Sequence, residues 1–160
     1  MWLIGIRSGI ITLLALIAYK LLVQTLSISN SFLGHLEHIV FGLGIYSAHY
    51  YYRYANKGTM SYKQGIQVGM ITVLFTSLIA SLLTYSMFLK YGKQFMSALF
   101  MELKNTAQQL DPGNSLMQDN PIFIELINNP RFFIFMMFLS ITLTGFIFTL
   151  LISLFSRTRN

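Results

Sequence analysis

Residues 64–89 read QGIQVGMITVLFTSLIASLLTYSMFL, an uncharged run held between Lys63 and Lys90. About 20 apolar residues cross a hydrocarbon core of roughly 30 Å, so this run is long enough to do so with some tilt. A second run of the same kind, FFIFMMFLSITLTGFIFTLLISLFS at 132–156, lies between Arg131 and Arg157. The two runs set the expected fold class, which is all-α and integral to a membrane.

The rest of the chain agrees. Of its 160 residues 54% are hydrophobic and only 10% charged, against about a quarter charged in an ordinary soluble domain. That deficit excludes disorder, a nucleic-acid-binding tail and most soluble enzymes, and the length suits one domain. With no cysteine, disulfides, thiolate metal sites and a cysteine nucleophile are excluded as well. Two further spans are expected at about 2–26, which includes Arg7 and Lys20, and at about 32–52, which includes His35, Glu37, His38 and His49. The short connection at 27–31 suits an antiparallel hairpin. A basic residue ahead of an apolar run resembles a signal peptide, but no small-x-small cleavage site follows and Tyr19-Lys20 interrupts its place. The first span is therefore expected to be retained. With spans at 65–89 and 132–156, the expected architecture is a single membrane domain, 1–160, folded as a four-helix bundle.

Charge sets the expected orientation. With both termini cytoplasmic, the inner side holds Arg7, Arg53, Lys57, Lys63, Arg157 and Arg159 and no acid. The outer side holds Lys20, Lys90, Lys93, Lys104 and Arg131 against Glu37, Glu102, Asp111, Asp119 and Glu125. The whole net charge of +6 then lies inside, which is the positive-inside pattern. Tyr50, Tyr51, Tyr52 and Tyr54 form an inner aromatic belt in this arrangement, and Tyr85, Tyr91 and Phe132 an outer one.

The outer loop, about 92–131, is too long for a simple connector. In it Phe95, Met96, Leu99, Phe100, Leu103, Ala107 and Leu110 share one arc of a helical wheel, with Lys104, Asn105, Gln108 and Gln109 opposite. The spacing predicts an amphipathic helix, lying on the outer leaflet or capping the bundle and ending at Asp111-Pro112-Gly113. Asn120-Pro121 predicts the start of a short helix through Ile127, and Asn129-Pro130 its stop.

Ionisable groups in lipid need a partner or a purpose. Folding the first hairpin about Asn30 brings Lys20 level with Glu37, so the two are expected to pair. One reading is a structural ion pair that fixes hairpin register. The other is a coupling site for protons or an anionic ligand. On the second span His35, His38, Gly42, Tyr46, His49 and Arg53 fall on one arc, with Glu37, Phe41, Gly44 and Ala48 opposite. The stripe of His35, His38, Tyr46 and His49 suits a proton or polar-substrate path. It suits a metal poorly, because His49 is about 16 Å along the helix from His38 and Glu37 faces away. No metal and no cofactor are expected. Small residues mark packing surfaces: Gly5-x-x-x-Gly9 and Gly65-x-x-x-Gly69 let another backbone approach closely, within the chain or from another subunit. There is no P-loop, G-x-S-x-G, H-E-x-x-H or adjacent acidic pair, so no catalytic residue is assigned and the protein is not expected to be an enzyme.

The stretch Gly58-Thr59-Met60-Ser61-Tyr62-Lys63-Gln64-Gly65-Ile66-Gln67-Val68-Gly69 follows a short basic loop and enters a long apolar helix carrying Tyr85, with Tyr91 beyond it. It resembles domain of unknown function 4199, a family of small four-helix membrane proteins of the Bacteroides–Flavobacterium group. The similarity is best over about 46–103, resumes over 132–159, and is poorer over the first span and 111–130. The resemblance implies a bacterial inner membrane and the four-span layout, and brings no activity, cofactor or catalytic residue. It also implies an association with polyprenyl-phosphate glycosyltransferases. Three functions are therefore expected to compete. The first is a non-enzymatic subunit or scaffold that packs against a membrane-protein partner or forms a homo-oligomer. The second is a small oligomeric transporter or channel component using the histidine-lined span. The third is an accessory to a polyprenyl-phosphate glycosyltransferase in envelope synthesis. Membrane lipids are partners in all three, and nucleic acid in none.

Overall fold

The computed structural model describes residues 1–25, 31–110 and 129–158, with the side chains at 24, 31–35, 92–100 and 102–110 also outside the description. Among the described residues the chain is all-helical: α1 (Trp2–Thr25), α2 (Ser31–Ala55), α3 (Tyr62–Leu110) and α4 (Pro130–Ser156). The helical stretches Trp2–Val23, Tyr62–Tyr91 and Pro130–Ser156 are long and apolar enough to cross a membrane. Helix α2 has the length, 25 residues. It lacks the hydropathy, because Glu37, three imidazoles, Arg53 and a run of tyrosines dilute it.

Local chemistry explains where the helices begin and end. Helix α2 stops in a left-handed turn at Lys57 (φ 52°) and Gly58 (φ 82°). Gly58 takes the second position without the steric cost a β-carbon carries. The turn is fastened by Asn56, whose side-chain amide donates to the Thr59 carbonyl at 2.9 Å while the Thr59 hydroxyl donates to the Asn56 carbonyl at 2.9 Å. Helix α3 opens on a capping box: Gln64 N–H donates to Ser61 Oγ (3.3 Å) and Ser61 N–H to Gln64 Oε1 (2.9 Å). Helix α4 opens on Asn129, whose Oδ1 accepts from Arg131 N–H at 3.1 Å. Pro130 follows as its first residue. The Asn129-Pro130 pair thus opens the last helix, because proline's missing N–H costs nothing in a first turn; the helix it was expected to stop lies outside the described residues.

The helix expected in the first part of the segment from residue 92 is continuous with the span before it. Helix α3 continues without a break through Gly92 to Leu110, 49 residues in all. Nothing between Leu89 and Phe95 can end it: the segment has no proline and no capping Asx or Ser, and one interior glycine costs only about 1 kcal/mol. Its described residues run to Leu110, and the expected stop at Asp111-Pro112-Gly113 falls outside the description. The amphipathic arc from Phe95 to Leu110 falls on side chains outside the description, and the short helix expected after Asn120-Pro121 falls outside the described residues.

The chain divides into two compact units, Met1–Ile79 with Ser140–Asn160, and Ala80–Leu139. In the first, four helical segments meet in alternating directions. Helix α1 runs antiparallel to α2, with Thr12 against Gly44 and Lys20 against Glu37. It runs parallel to α3, with Gly5 and Gly9 against Ile71 and Phe75. Helices α3 and α4 are antiparallel, and their contacts step one turn at a time: Gly65 with Ser153, Gly69 with Thr149, Val73 with Gly145, Ser77 with Thr142. A small apolar core of Phe41, Ile45 and Val73 is backed by Leu16, Ile141, Phe148 and Ile152. In the second unit, the hydroxyls of Thr84 and Ser86 fold back on the Ala80 and Leu83 carbonyls, and Lys90 Nζ lies 5.4 Å from the Tyr91 ring centre.

Candidate functional site

Polarity in the first unit is distributed in the opposite sense to a water-soluble protein. Ser8, Thr12, His49, Thr72, Thr76, Ser77, Thr149 and Ser153 are buried, while Leu3, Leu14, Leu21, Leu43, Leu74 and Leu151 are exposed. A soluble domain hides its leucines; a helix assembly in lipid gains nothing by doing so and places small and hydroxylated residues at its contacts.

Glycines make the contacts close, and hydroxyls use the closeness. A β-carbon on Gly5 would lie 2.6 Å from Ile71 Cγ2, and one on Gly9 3.0 Å from Phe75 Cδ1. With none there, the Thr72 hydroxyl reaches the Gly5 carbonyl at 3.1 Å and the Thr76 hydroxyl reaches the Gly9 carbonyl at 3.3 Å. Each also bonds the carbonyl four residues back in its own helix, at 3.0 and 2.8 Å. The two donors are thus shared across the α1–α3 seam.

His49 occupies the seam of α2, α3 and α4. Its ring lies against Gly65 and Gly69, where added β-carbons would stand 3.3 Å from Cδ2 and 2.9 Å from Cε1. Nδ1 is 2.8 Å from the Ile45 carbonyl, which can only accept, so Nδ1 carries the proton. In the neutral ring Nε2 then accepts from the Ser153 hydroxyl at 2.9 Å. A base, its orienting group and a hydroxyl are the parts of an activated nucleophile. Here both His49 and Ser153 are wholly buried, and the arrangement ties three helices together. Thr149, one turn before Ser153, is buried with no partner for its hydroxyl among the described residues.

The remaining candidate residues are dispersed. Lys20 Nζ lies 3.3 Å from Glu37 Oε1 across the α1–α2 hairpin, with both side chains still open to the surroundings. His38 and Tyr46 are exposed, His49 is sealed, and the His35 side chain lies outside the description. The arc on α2 is therefore split along its length: its edge at His49 turns inward and Tyr46 turns outward. Among the described residues no three His, Cys, Asp or Glu side chains converge as metal ligands would. Sequence reasoning missed Thr72, Thr76, Thr149 and Ser153. The signal was present, since each pair repeats the four-residue step of the glycine pair it faces.

A family model described as Protein of unknown function (DUF4199) matches residues 5–158. The chain belongs to the DUF4199 family. The match takes in α1, where the sequence resemblance was poor, and runs from Gly5 at the α1–α3 seam to Thr158. No curated protein and no solved structure matches the chain. The DUF4199 stretch at 58–69 acquires a physical reading: Gly58 makes the left-handed turn, Ser61 and Gln64 cap α3, and Gly65 and Gly69 form the notch that receives His49.

Proposed function

We propose that this DUF4199 protein is an integral protein of the bacterial inner membrane with four spans and cytoplasmic termini, acting as a non-enzymatic helical subunit or scaffold of a membrane assembly. The inverted distribution of polarity carries the reading. Large apolar side chains cover the outside, while inside His49 and Ser153, Thr72 and Thr76, and Ser77 make hydrogen bonds between helices. Helix α2 falls short of the hydropathy of a span, yet it runs antiparallel along α1 from the Lys20–Glu37 level to that of Thr12–Gly44 and beyond. A bilayer crossed by α1 is then crossed by α2 as well, with His49 sealed against α3 and α4 and Glu37 paired with Lys20 of α1. Acid-free basic segments at the α2–α3 turn and the C-terminus support cytoplasmic termini.

Both small-residue motifs face partners within the chain, which leaves the apolar exterior as the surface for another subunit. Cross-linking in native membranes followed by mass spectrometry tests the proposal. Stoichiometric links to a larger membrane protein make this a subunit of it, and self-links alone make it a homo-oligomer. A lone monomer in native membranes, detergent and nanodiscs overturns the reading. Capture of a polyprenyl-phosphate glycosyltransferase would favour the envelope-synthesis alternative. The transporter alternative requires pH-dependent flux in proteoliposomes that is lost in Glu37→Gln or His38→Ala.

A further inference from the structure

All of the net charge belongs to one unit. The unit Met1–Ile79 with Ser140–Asn160 contains Arg7, Lys20, Arg53, Lys57, Lys63, Arg157 and Arg159 against Glu37 alone, a balance of +6. The other unit, Ala80–Leu139, contains four bases and four acids and balances to zero. Glu37 is already engaged by Lys20, at the far end of the α1–α2 hairpin from the α2–α3 turn. The cations around that turn consequently have no free acidic side chain within their own unit.

The fold gathers them. Met60, buried at the end of the turn, donates its N–H to Thr158 Oγ1 at 2.7 Å. Its carbonyl accepts from the Thr158 N–H and hydroxyl, each at 3.0 Å. Three hydrogen bonds between two residues clamp the C-terminal segment to the turn. Arg157 adjoins one clamped residue, while Lys57 and Lys63 each lie three from the other. Arg53 stands in the last turn of α2. Lys57, Lys63 and Arg157 are exposed, and none makes an ion pair among the described residues. Beside them the exposed rings of Tyr50, Tyr51 and Tyr54 supply the amphipathic groups that favour a headgroup layer.

We infer that the α2–α3 turn, clamped to Thr158, is a docking platform for acidic phospholipid headgroups of the leaflet it faces. The occupant follows from charge: several exposed cations gathered at one turn, with exposed tyrosines nearby and no free acidic side chain in their unit, match an anionic headgroup layer and not a zwitterionic one. The inference rests on the membrane reading above.

The chain's single tryptophan, Trp2, begins α1 at this same end and reports on the lipids there. Its quenching is compared in vesicles doped with brominated phosphatidylglycerol or brominated phosphatidylcholine. The parent protein prefers phosphatidylglycerol, by about fivefold for each cation that engages a headgroup. The Lys57→Gln/Lys63→Gln/Arg157→Gln variant loses that factor for each of the three cations that engages a headgroup, while Lys90→Gln/Lys93→Gln, in the other unit, keeps the preference. Thr158→Val retains every charge but loses the clamp, and its preference drops by about one cation's share, fivefold. Arg157→Lys, with unchanged helicity by circular dichroism, preserves it. Parity in the parent, equal loss in the two charge variants, or an unchanged Thr158→Val overturns the platform. Failure of the parent to insert into phosphatidylcholine vesicles instead overturns the membrane reading itself.

Discussion

At Gly69 the absence of a side chain has a steric consequence that Gly42 lacks. A β-carbon on Gly69 would stand 2.5 Å from Thr149 Cγ2 and 2.9 Å from His49 Cε1, whereas one on Gly42 would meet only Phe148, at 3.7 Å. Gly69→Ala therefore forces α3 away from α2 and α4 and is expected to cost about 1–3 kcal/mol. Gly42→Ala makes an ordinary contact and removes a poor helix former, so it is expected to be neutral or to stabilise by up to about 1 kcal/mol. Reversible unfolding in mixed micelles measures both, and equal effects would contradict the packing described. The residue that fills the Gly69 notch invites the same treatment. His49→Ala leaves a cavity and an unpaired Ser153 hydroxyl, and is expected to cost about 3 kcal/mol. Ser153→Ala removes only the hydroxyl and is expected to cost about 1 kcal/mol. The double-mutant cycle should return a coupling near 0.6 kcal/mol, typical of interhelical hydrogen bonds in membranes. Zero coupling would mean that His49 and Ser153 do not bond in the membrane.

The helices themselves were readable because their signals are local. An uncharged run such as 64–89 needs no partner to declare itself. What was not readable depends on neighbours distant in sequence. That Asn129 would also cap the first turn of α4 is one such case, since its side chain serves N–H groups that only the following helix leaves unsatisfied. A wheel of α2 groups His49 with Tyr46, but only the notch on α3 draws the imidazole inward. The Lys20–Glu37 approach was accessible from the hairpin's register, since it needs only the turn near Asn30 and the helical rise. The hydroxyls of Thr72 and Thr76 looked like ordinary helix residues because their partners are main-chain carbonyls, and their four-residue step points to a seam only once the facing pair Gly5 and Gly9 is known. At this scale two predictions separate local from interhelical stabilisation. Ser61→Ala breaks the capping box and should cost about 1 kcal/mol, seen as faster amide exchange confined to the first turn of α3. Thr72→Val/Thr76→Val keeps the shape but deletes both hydroxyls, so it should leave that turn intact while loosening the α1–α3 seam. A matched loss of protection along α1 is the expected signature. If α1 exchanges at its original rate, the cross-helix hydrogen bonds contribute nothing measurable.

For the molecule as a whole, the separation of charge between the two units gives the proposed topology its physical content. A chain with +6 on one unit and zero on the other is polarised, and a membrane-inserted protein keeps its unpaired cations on the cytoplasmic side. The sequence contains no cysteine, so single substitutions can be labelled with an impermeant maleimide and no background needs to be removed. Lys57→Cys lies in the exposed turn between α2 and α3 and should resist labelling in intact cells, reacting only after permeabilisation. Asp119→Cys, between α3 and α4, should label in both conditions. Asn30→Cys, between α1 and α2, decides whether the least apolar helix crosses. If α2 is carried through the bilayer by its packing on α1, position 30 shares the outer side with position 119. Should position 30 instead behave like position 57, then α1 and α2 form a hairpin that does not cross, and Lys20 and Glu37 meet on the cytoplasmic side. That outcome would also move the tyrosines and basic residues that follow α2 out of the arrangement on which the lipid platform depends. A two-condition labelling of three positions thus tests the span count, the orientation and the setting of the platform together.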